Sequence, residues 1–149
     1  MNLKLSEHLP FRIAVLSNLI KQGSSDVFVK ESNMTGRDWR VVAIVGLHKT
    51  ITPAEISTIT GMDRATVTRS IQHLESLKLV SKTKHLSDGR SRVISLTNKG
   101  QNTYQALIPQ MSENGDAFKQ VLTEGEFQLF LELIEKLQTK AIDIINHNA

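Results

Sequence analysis

The 149-residue sequence contains no cysteine, which excludes disulfide bonds, thiolate metal sites and a thiol-based redox switch. Aromatic residues make up only 5% of the chain, so we expect a core built mainly from Leu, Ile and Val. No apolar run approaches the roughly 18 residues that a membrane-spanning helix needs. The N-terminus MNLKLSEHLP also lacks the basic-then-apolar layout of a signal peptide. We therefore expect a cytoplasmic protein with no membrane-embedded segment.

Motifs for catalysis and metal binding are also missing. The sequence has no Gly-x-Ser-x-Gly element and no glycine-rich phosphate loop, so we predict no catalytic residues, no enzyme activity and no cofactor. The histidines are too scattered to place two metal ligands one helical turn apart, and we expect no metal site. They are His8, His48, His73, His85 and His147.

The charge balance is only mildly basic. Eighteen Lys and Arg residues face fifteen Asp and Glu residues, a net charge of +3. This excess permits an anionic partner without demanding one, so the location of the cations matters more than their number.

Apolar residues at helical spacing predict helices at both ends of the chain. The N-terminal segment LPFRIAVLSNLI has a broad apolar face, and two further helices are predicted after Thr97 and Thr123. The segment TGRDWRVVAIVGLHK predicts another helix, with Thr35 and Asp38 in the positions of a capping box and Val41 through Leu47 almost wholly buried. Its β-branched residues would also suit a strand, but the cap and the Gly46-Leu47-His48-Lys49 ending favour a helix.

The middle of the chain carries the signature of a helix-turn-helix. Thr52, Pro53 and Glu55 provide a cap, a first-turn proline and a capping-box partner, and Gly61 ends this short helix. We expect its Ile56 and Ile59 to face inward. Asp63 can cap a second helix after a turn of only two residues, which is typical of a helix-turn-helix.

The second helix, GMDRATVTRSIQHLESLKLV, has one apolar stripe and one polar face. Val67, Ile71 and Leu74 lie on the stripe, and Arg69 projects almost directly opposite it. After Leu79-Val80 the apolar period changes to two and predicts a hairpin with its turn around LSDGRS. A helix-turn-helix followed by a hairpin is a winged helix, so the fold class we expect is mainly α with a small β-wing.

This arrangement suits DNA. A helix fits the major groove, where arginine and glutamine can read guanine and adenine, and cations of the wing can reach the flanking backbone or the minor groove. The candidate DNA-binding residues are Arg64, Thr66, Thr68, Arg69, Gln72, His73, Lys82, Lys84, Arg90 and Arg92. The polar face could instead be an ordinary solvated surface, or it could dock an acidic protein partner.

Two stretches, DRATVTRSIQHLESLKLV and SDGRSRVISLTNKG, closely resemble the MarR family of bacterial transcription regulators. The shared elements are an Asp-x-Ser-Thr-Val-Thr-Arg motif, a Leu-Glu-x-x-Gly-Leu-Val motif, a wing of the form Asp-x-Arg and a following Leu-Thr-x-x-Gly. In this chain they fall at 63–69, 74–80, 88–90 and 96–100. The resemblance covers roughly residues 35–100.

The resemblance implies a sequence-specific regulator of transcription that binds a pseudo-palindromic operator in double-stranded DNA as a homodimer. We expect a repressor released by a small-molecule effector; a protein-interaction module and a metal-responsive regulator are the alternatives. It implies a single domain, 1–149, with the winged helix-turn-helix at about 35–98. The dimerisation helices would lie at about 5–30 and 99–147.

The resemblance also implies roles for individual residues. Arg90 would enter the minor groove, and Asp88 would orient it. The pocket of a small anionic aromatic effector would be lined by Phe11, Arg12, Trp39 and Arg40. The alternative is that Phe11 and Trp39 belong to the core and that Arg12 and Arg40 are surface or salt-bridged residues.

This sequence departs from the family pattern at two positions. Ala65 replaces the usual serine on the reading face. Lys78 replaces the glycine just past the recognition helix, and we predict a left-handed backbone there at a cost on the order of 1 kcal/mol.

Overall fold

The computed structural model describes residues 4–23, 32–84 and 92–147. Within these ranges the elements are α1 (Leu9–Gly23), α2 (Asp38–His48), β1 (Thr50–Ile51), α3 (Pro53–Thr60), α4 (Arg64–Ser76), β2 (Val80–Lys84), β3 (Arg92–Leu96), α5 (Asn98–Lys119) and α6 (Glu124–His147). The chain forms two compact units, Met1–Ile108 and Pro109–Ala149. The first contains a helix-turn-helix followed by a small antiparallel sheet, which confirms the predicted mainly α fold with a β-wing.

Local capping sets the limits of the helix-turn-helix. The Thr52 side chain accepts from the Glu55 amide, and the Glu55 carboxylate accepts from the Thr52 amide, so the predicted capping box is present. Gly61 ends α3 with a left-handed backbone at φ 67°. Asp63 then caps α4 by accepting from the Thr66 amide at 2.8 Å. These features need only neighbouring residues, and all three predictions are confirmed.

The sheet has three strands in the order β1-β3-β2, all antiparallel. Strand β1 was not predicted: it has only two residues, Thr50 and Ile51, which pair with Ser95 and Ile94. Its short length leaves no alternating pattern to detect in the sequence. The β2–β3 ladder places Lys82 opposite Ile94 and Lys84 opposite Arg92.

The core of the first unit lies between α2, α3, α4 and the sheet. Its fully buried side chains include Val41, Val42, Val45, Ile56, Val67, Ile71, Leu74 and Ile94. The predicted stripe of α4 is therefore confirmed, and α2 is the predicted helix rather than a strand.

Two inward predictions are wrong. Leu47 is 68% exposed because it lies on the opposite side of α2 from Val45. Ile59 is 48% exposed and lines a shallow apolar groove with Ile51 and Thr58.

Gly46 lies inside α2 rather than at its end. A Cβ at this position would come within 2.7 Å of the ring atoms of Tyr104, so the glycine allows that ring to pack against the helix backbone. The helix ends instead at His48, and Lys49 adopts a positive φ of 65°.

The terminal helices carry apolar side chains that their own chain leaves exposed. On α1 these include Leu9, Phe11, Ile13, Leu16 and Leu19, and on α6 they include Leu129, Phe130, Leu133, Ile142 and Ile145. Helix α6 has no buried residue at all, although its predicted capping box between Thr123 and Glu126 is formed. Among the described helices, none is both long and apolar enough to cross a bilayer.

Candidate nucleic-acid interface

Helix α4 presents one polar face to solvent, opposite its buried stripe. Arg64, Thr68, Arg69 and Gln72 are all exposed, and we call these four residues the outward face. Ala65 and Ser76 lie beside them and are also exposed. The four residues of the outward face include two guanidinium groups and no carboxylate, which favours an approaching polyanion; the nearby acid, Asp63, lies beside Arg69 at the start of the helix.

Arg69 is held in place by hydrogen bonds that begin at the helix cap. The Thr66 hydroxyl donates to Asp63 Oδ2 at 2.6 Å, and Arg69 Nη2 donates to that same hydroxyl oxygen at 3.0 Å. Hydrogen bonds from the Thr66 side chain and amide, aided by the nearby charge of Arg69, hold the pKa of Asp63 below its usual value. One of the five guanidinium N–H groups is thus used to orient the others.

Thr66, one of the candidate DNA-binding residues, does not lie on the outward face. Only 8% of this residue is accessible, and its hydroxyl contacts Asp63 and Arg69. The sequence placed Thr66 on the flank of the polar face, but the capping carboxylate draws its side chain back toward the start of the helix. What the structure shows is that its hydroxyl holds the Arg69 side chain.

His73 is 40% exposed and lies at the border between the outward face and the core. Its Nδ1 is 2.9 Å from Oδ2 of Asp38, the first residue of α2. Sequence reasoning recognised Asp38 only as a capping residue, because its partner in α4 is 35 positions away and no local pattern links the two.

Lys82, a candidate DNA-binding residue, forms an ion pair within the chain. Its Nζ lies 2.5 Å from Oε2 of Glu75 in α4. The ladder explains this direction, because Lys82 is opposite the buried Ile94 and therefore points toward the helix side of the sheet. The sequence pattern did not identify Glu75 as the acid that balances this cation.

The rest of the wing is described only in part. Arg92 is exposed at the start of β3, and the backbone of Lys84 pairs with it at the end of β2. The Lys84 side chain lies outside the described residues, as do His85, Asp88 and Arg90.

The carbonyl end of α4 is closed by a Schellman motif. The Leu79 amide donates to the Leu74 carbonyl and the Lys78 amide donates to the Glu75 carbonyl, while Lys78 has φ 60°. The predicted left-handed backbone at Lys78 is confirmed.

Residues at the start of α5 hold this end of α4 from outside. The Thr97 hydroxyl donates to the Lys78 carbonyl at 2.6 Å, and Lys99 Nζ donates to the Leu77 carbonyl at 2.9 Å. The sheet and the following helix therefore fix the position of α4 at its far end.

The four candidate effector residues fall into two separate places. Phe11 and Arg12 line a shallow, mostly apolar groove along α1, together with Leu5, Val15 and Leu19. Trp39 and Arg40 are not among its lining residues; the Arg40 guanidinium instead lies 5.2 Å from the centre of the Trp39 ring.

No three His, Cys, Asp or Glu side chains within residues 4–23, 32–84 and 92–147 lie close enough together to hold a metal ion.

Comparison with known proteins adds an independent line of evidence. The model of the MarR family matches residues 32–91. The HTH-type transcriptional regulator PapX of Escherichia coli is 26% identical over 140 residues, covering 93% of this chain and 85% of PapX. The homoprotocatechuate degradative operon repressor of Escherichia coli is 27% identical over 108 residues, covering 72% of this chain and 73% of the repressor.

The fold also matches solved structures over nearly its whole length. A MarR/EmrR family transcriptional regulator from Acinetobacter sp. ADP1 superposes with a TM-score of 0.87 at 25% identity, covering 95% of this chain and 99% of the other.

Proposed function

We propose that this chain, which belongs to the MarR family of transcriptional regulators, is a homodimeric repressor that binds a pseudo-palindromic operator. The observation that best supports this proposal is the outward face of α4, where Arg69 is oriented through Thr66 and Asp63 and projects away from the core. Arginine fits guanine through two parallel hydrogen bonds, and Gln72 offers the matching geometry for adenine. Because this function requires access to DNA, we propose that the protein is located in the cytoplasm. Binding an operator needs no catalytic residue, and we propose none.

The dimer follows from the exposed apolar side chains of α1 and α6, which exceed what a monomeric surface carries singly. We propose that helices within about 5–30 and 99–147 form the subunit interface and that about 35–98 binds DNA, the whole chain acting as one functional domain. A two-fold dimer would present its two α4 helices to half-sites about one helical turn apart, roughly 34–36 Å.

The proposed repression, and its release by an effector, rest on the similarity to known regulators. One relative is named as the repressor of a degradative operon. We propose that a small anionic aromatic compound binds this chain near Phe11 and Arg12, or near Trp39 and Arg40, and shifts the dimer toward a form that fits the operator less well. A panel of phenolic carboxylates added to a preformed operator complex tests this step, and unchanged affinity across the panel would argue against it.

The DNA function is tested by selecting bound oligonucleotides from a random pool and measuring affinity for the selected site by fluorescence anisotropy. Binding through phosphates should weaken with salt, with a slope of log affinity against log salt of about 0.9 per phosphate neutralised. A flat salt dependence would favour a protein partner instead, and loss of binding on adding a chelator would favour a metal-responsive regulator.

Variants of Arg69 test the outward face. Arg69→Ala should cost about 1–3 kcal/mol of operator affinity and relax the base preference at one position per half-site. Arg69→Lys keeps the charge but loses the two-pronged contact, so it should keep the salt slope and lose the base preference. Lys4→Ala, at an exposed position before α1, is the control for loss of a cation elsewhere. Wild-type operator affinity in Arg69→Ala would show that the outward face is misplaced.

A further inference from the structure

Asp38 is a buried carboxylate that joins the first turn of α2 to the middle of α4. Only 2% of this residue is exposed. Its oxygens accept from the Thr35 amide at 2.7 Å and pair with His73 Nδ1 at 2.9 Å, and the buried Ser70 side chain lies near it. A single side chain thus connects the start of one helix with the middle of another.

The carboxylate is charged at neutral pH. Burial by itself raises the pKa of Asp38, but the hydrogen bonds from Thr35, His73 and Ser70 together bring the pKa below its ordinary value. An ionised acceptor makes shorter and stronger hydrogen bonds than a neutral one. Since Asp38 accepts from His73, Nδ1 is the ring nitrogen that carries the hydrogen.

The geometry of these contacts points to a role beyond cohesion. His73 lies four residues after Arg69 on α4, so its contact with Asp38 lies on the edge of the outward face. The apolar contacts of Val67, Ile71 and Leu74 hold the helix against the core and limit its rotation. Hydrogen bonds are more directional, and the bond between Asp38 and His73 lies beside the outward face, so we infer that it sets the final angle at which α4 presents Arg69 and Gln72.

We propose that Asp38 and His73 are positioning residues for operator recognition. Their contact sets the rotation of α4 about its axis and links α4 to the first turn of α2. This inference rests on the proposed function. Trp39 and Arg40 directly follow Asp38, so a ligand that displaces this turn would pull on His73 and rotate the outward face.

Substitutions at His73 distinguish the effect of the hydrogen bond to Asp38 from the effect of having any side chain at this position. Asparagine carries its amide nitrogen at the same number of bonds from Cα as Nδ1, whereas glutamine carries its amide nitrogen at the distance of Nε2. His73→Asn can therefore still donate to Asp38, and His73→Gln and His73→Ala cannot do so from the same place. His48→Ala, at an exposed histidine at the end of α2, is the matched control.

Affinity is measured for the selected operator and for a random duplex, using full-length protein, and hydrogen exchange of α4 peptides is followed in the same samples. We expect His73→Ala and His73→Gln to lose operator affinity about tenfold, the factor that about 1.4 kcal/mol represents. Affinity for the random duplex should be unchanged, because the phosphate-binding cations remain. His73→Asn and His48→Ala should match the wild type. Exchange in α4 should rise in His73→Ala and return to the wild-type rate in His73→Asn.

Wild-type operator affinity in His73→Ala would overturn the proposal, and so would an equal loss in His73→Asn and His73→Ala with both proteins folded. If the wild type selects no DNA sequence, the proposed function fails on its own. The exchange data then still decide whether the pair holds α4: unchanged exchange in His73→Ala would reject it, and faster exchange rescued by His73→Asn would support it.

Discussion

Replacing Gly100 by alanine should destabilise the protein and distort the carbonyl end of α4. Gly100 lies in the first turn of α5, where its amide donates to the Thr97 hydroxyl. A Cβ there would lie 1.9 Å from the Leu79 carbonyl oxygen and 2.9 Å from the Leu79 carbonyl carbon. Both atoms are backbone, and Leu79 forms part of the Schellman motif that ends α4, so the collision cannot be relieved by rotating a side chain.

The size of the effect follows from two opposing contributions. Overpacking costs typically about 1–3 kcal/mol, and a collision with backbone atoms belongs at the upper end of that range. Alanine within a helix gains about 0.5–1 kcal/mol over glycine. We therefore expect Gly100→Ala to lower the free energy of unfolding by about 2 kcal/mol, a fall of roughly 4–8 °C in Tm for a chain of this size.

Gly115→Ala is the control, because Gly115 lies in the same helix and has no atom within 4 Å of the added methyl group. Its free energy of unfolding should rise by the gain of alanine over glycine in a helix alone, about 0.5–1 kcal/mol. The two variants should then differ by about 3 kcal/mol in urea denaturation at one fixed protein concentration, with unchanged m-values. A difference below about 1 kcal/mol would refute the close approach of Gly100 to Leu79.

Three further perturbations test other parts of the structure. Thr66→Val should lower operator affinity about tenfold by removing the hydroxyl that orients Arg69, whereas Thr66→Ser should retain it; equal titrations of both variants by anisotropy would disprove this role. Lys78→Gly should raise the free energy of unfolding by up to about 1 kcal/mol because glycine tolerates the positive φ, and Lys78→Ala should not; urea midpoints decide between them. The lowered pKa of Asp38 stabilises the fold above the ordinary aspartate value of 3.8, and this contribution is lost as pH falls below 3.8 toward the folded-state pKa. Asp38→Asn should therefore flatten the loss of stability in that acidic window, and an unchanged slope in urea melts at successive pH values would contradict it.

Features fixed by neighbouring residues could be predicted from the sequence. The capping box at Thr52 and Glu55 and the cap at Asp63 join residues only three apart, so composition and spacing reveal them. The left-handed backbone at Lys78 was predictable from the resemblance to the MarR family, which has glycine at this position just past the helix. The winged helix followed from these local signals.

Features that depend on contact between elements could not be predicted. Lys82 reads as a free cation of the hairpin, but the ladder register turns it toward Glu75. The sequence indicates a capping role for Asp38, but its carboxylate also contacts His73, which lies 35 residues further along the chain. Thr66 was misplaced for a finer reason: helical spacing gives the direction of Cα–Cβ, and the final position of the hydroxyl depends on the cap.

The exposure of helix α6 has a consequence for how much of this protein a cell must hold. A 24-residue helix with no buried side chain draws little stability from its own chain, and helices by themselves are marginal in water. We expect a second molecule to stabilise its folded form, so dilution should destabilise α6. The first unit has a buried core of its own, so at low abundance α6 would unfold before the winged helix does, and the rate of synthesis of the chain would set how much dimer is available for the operator.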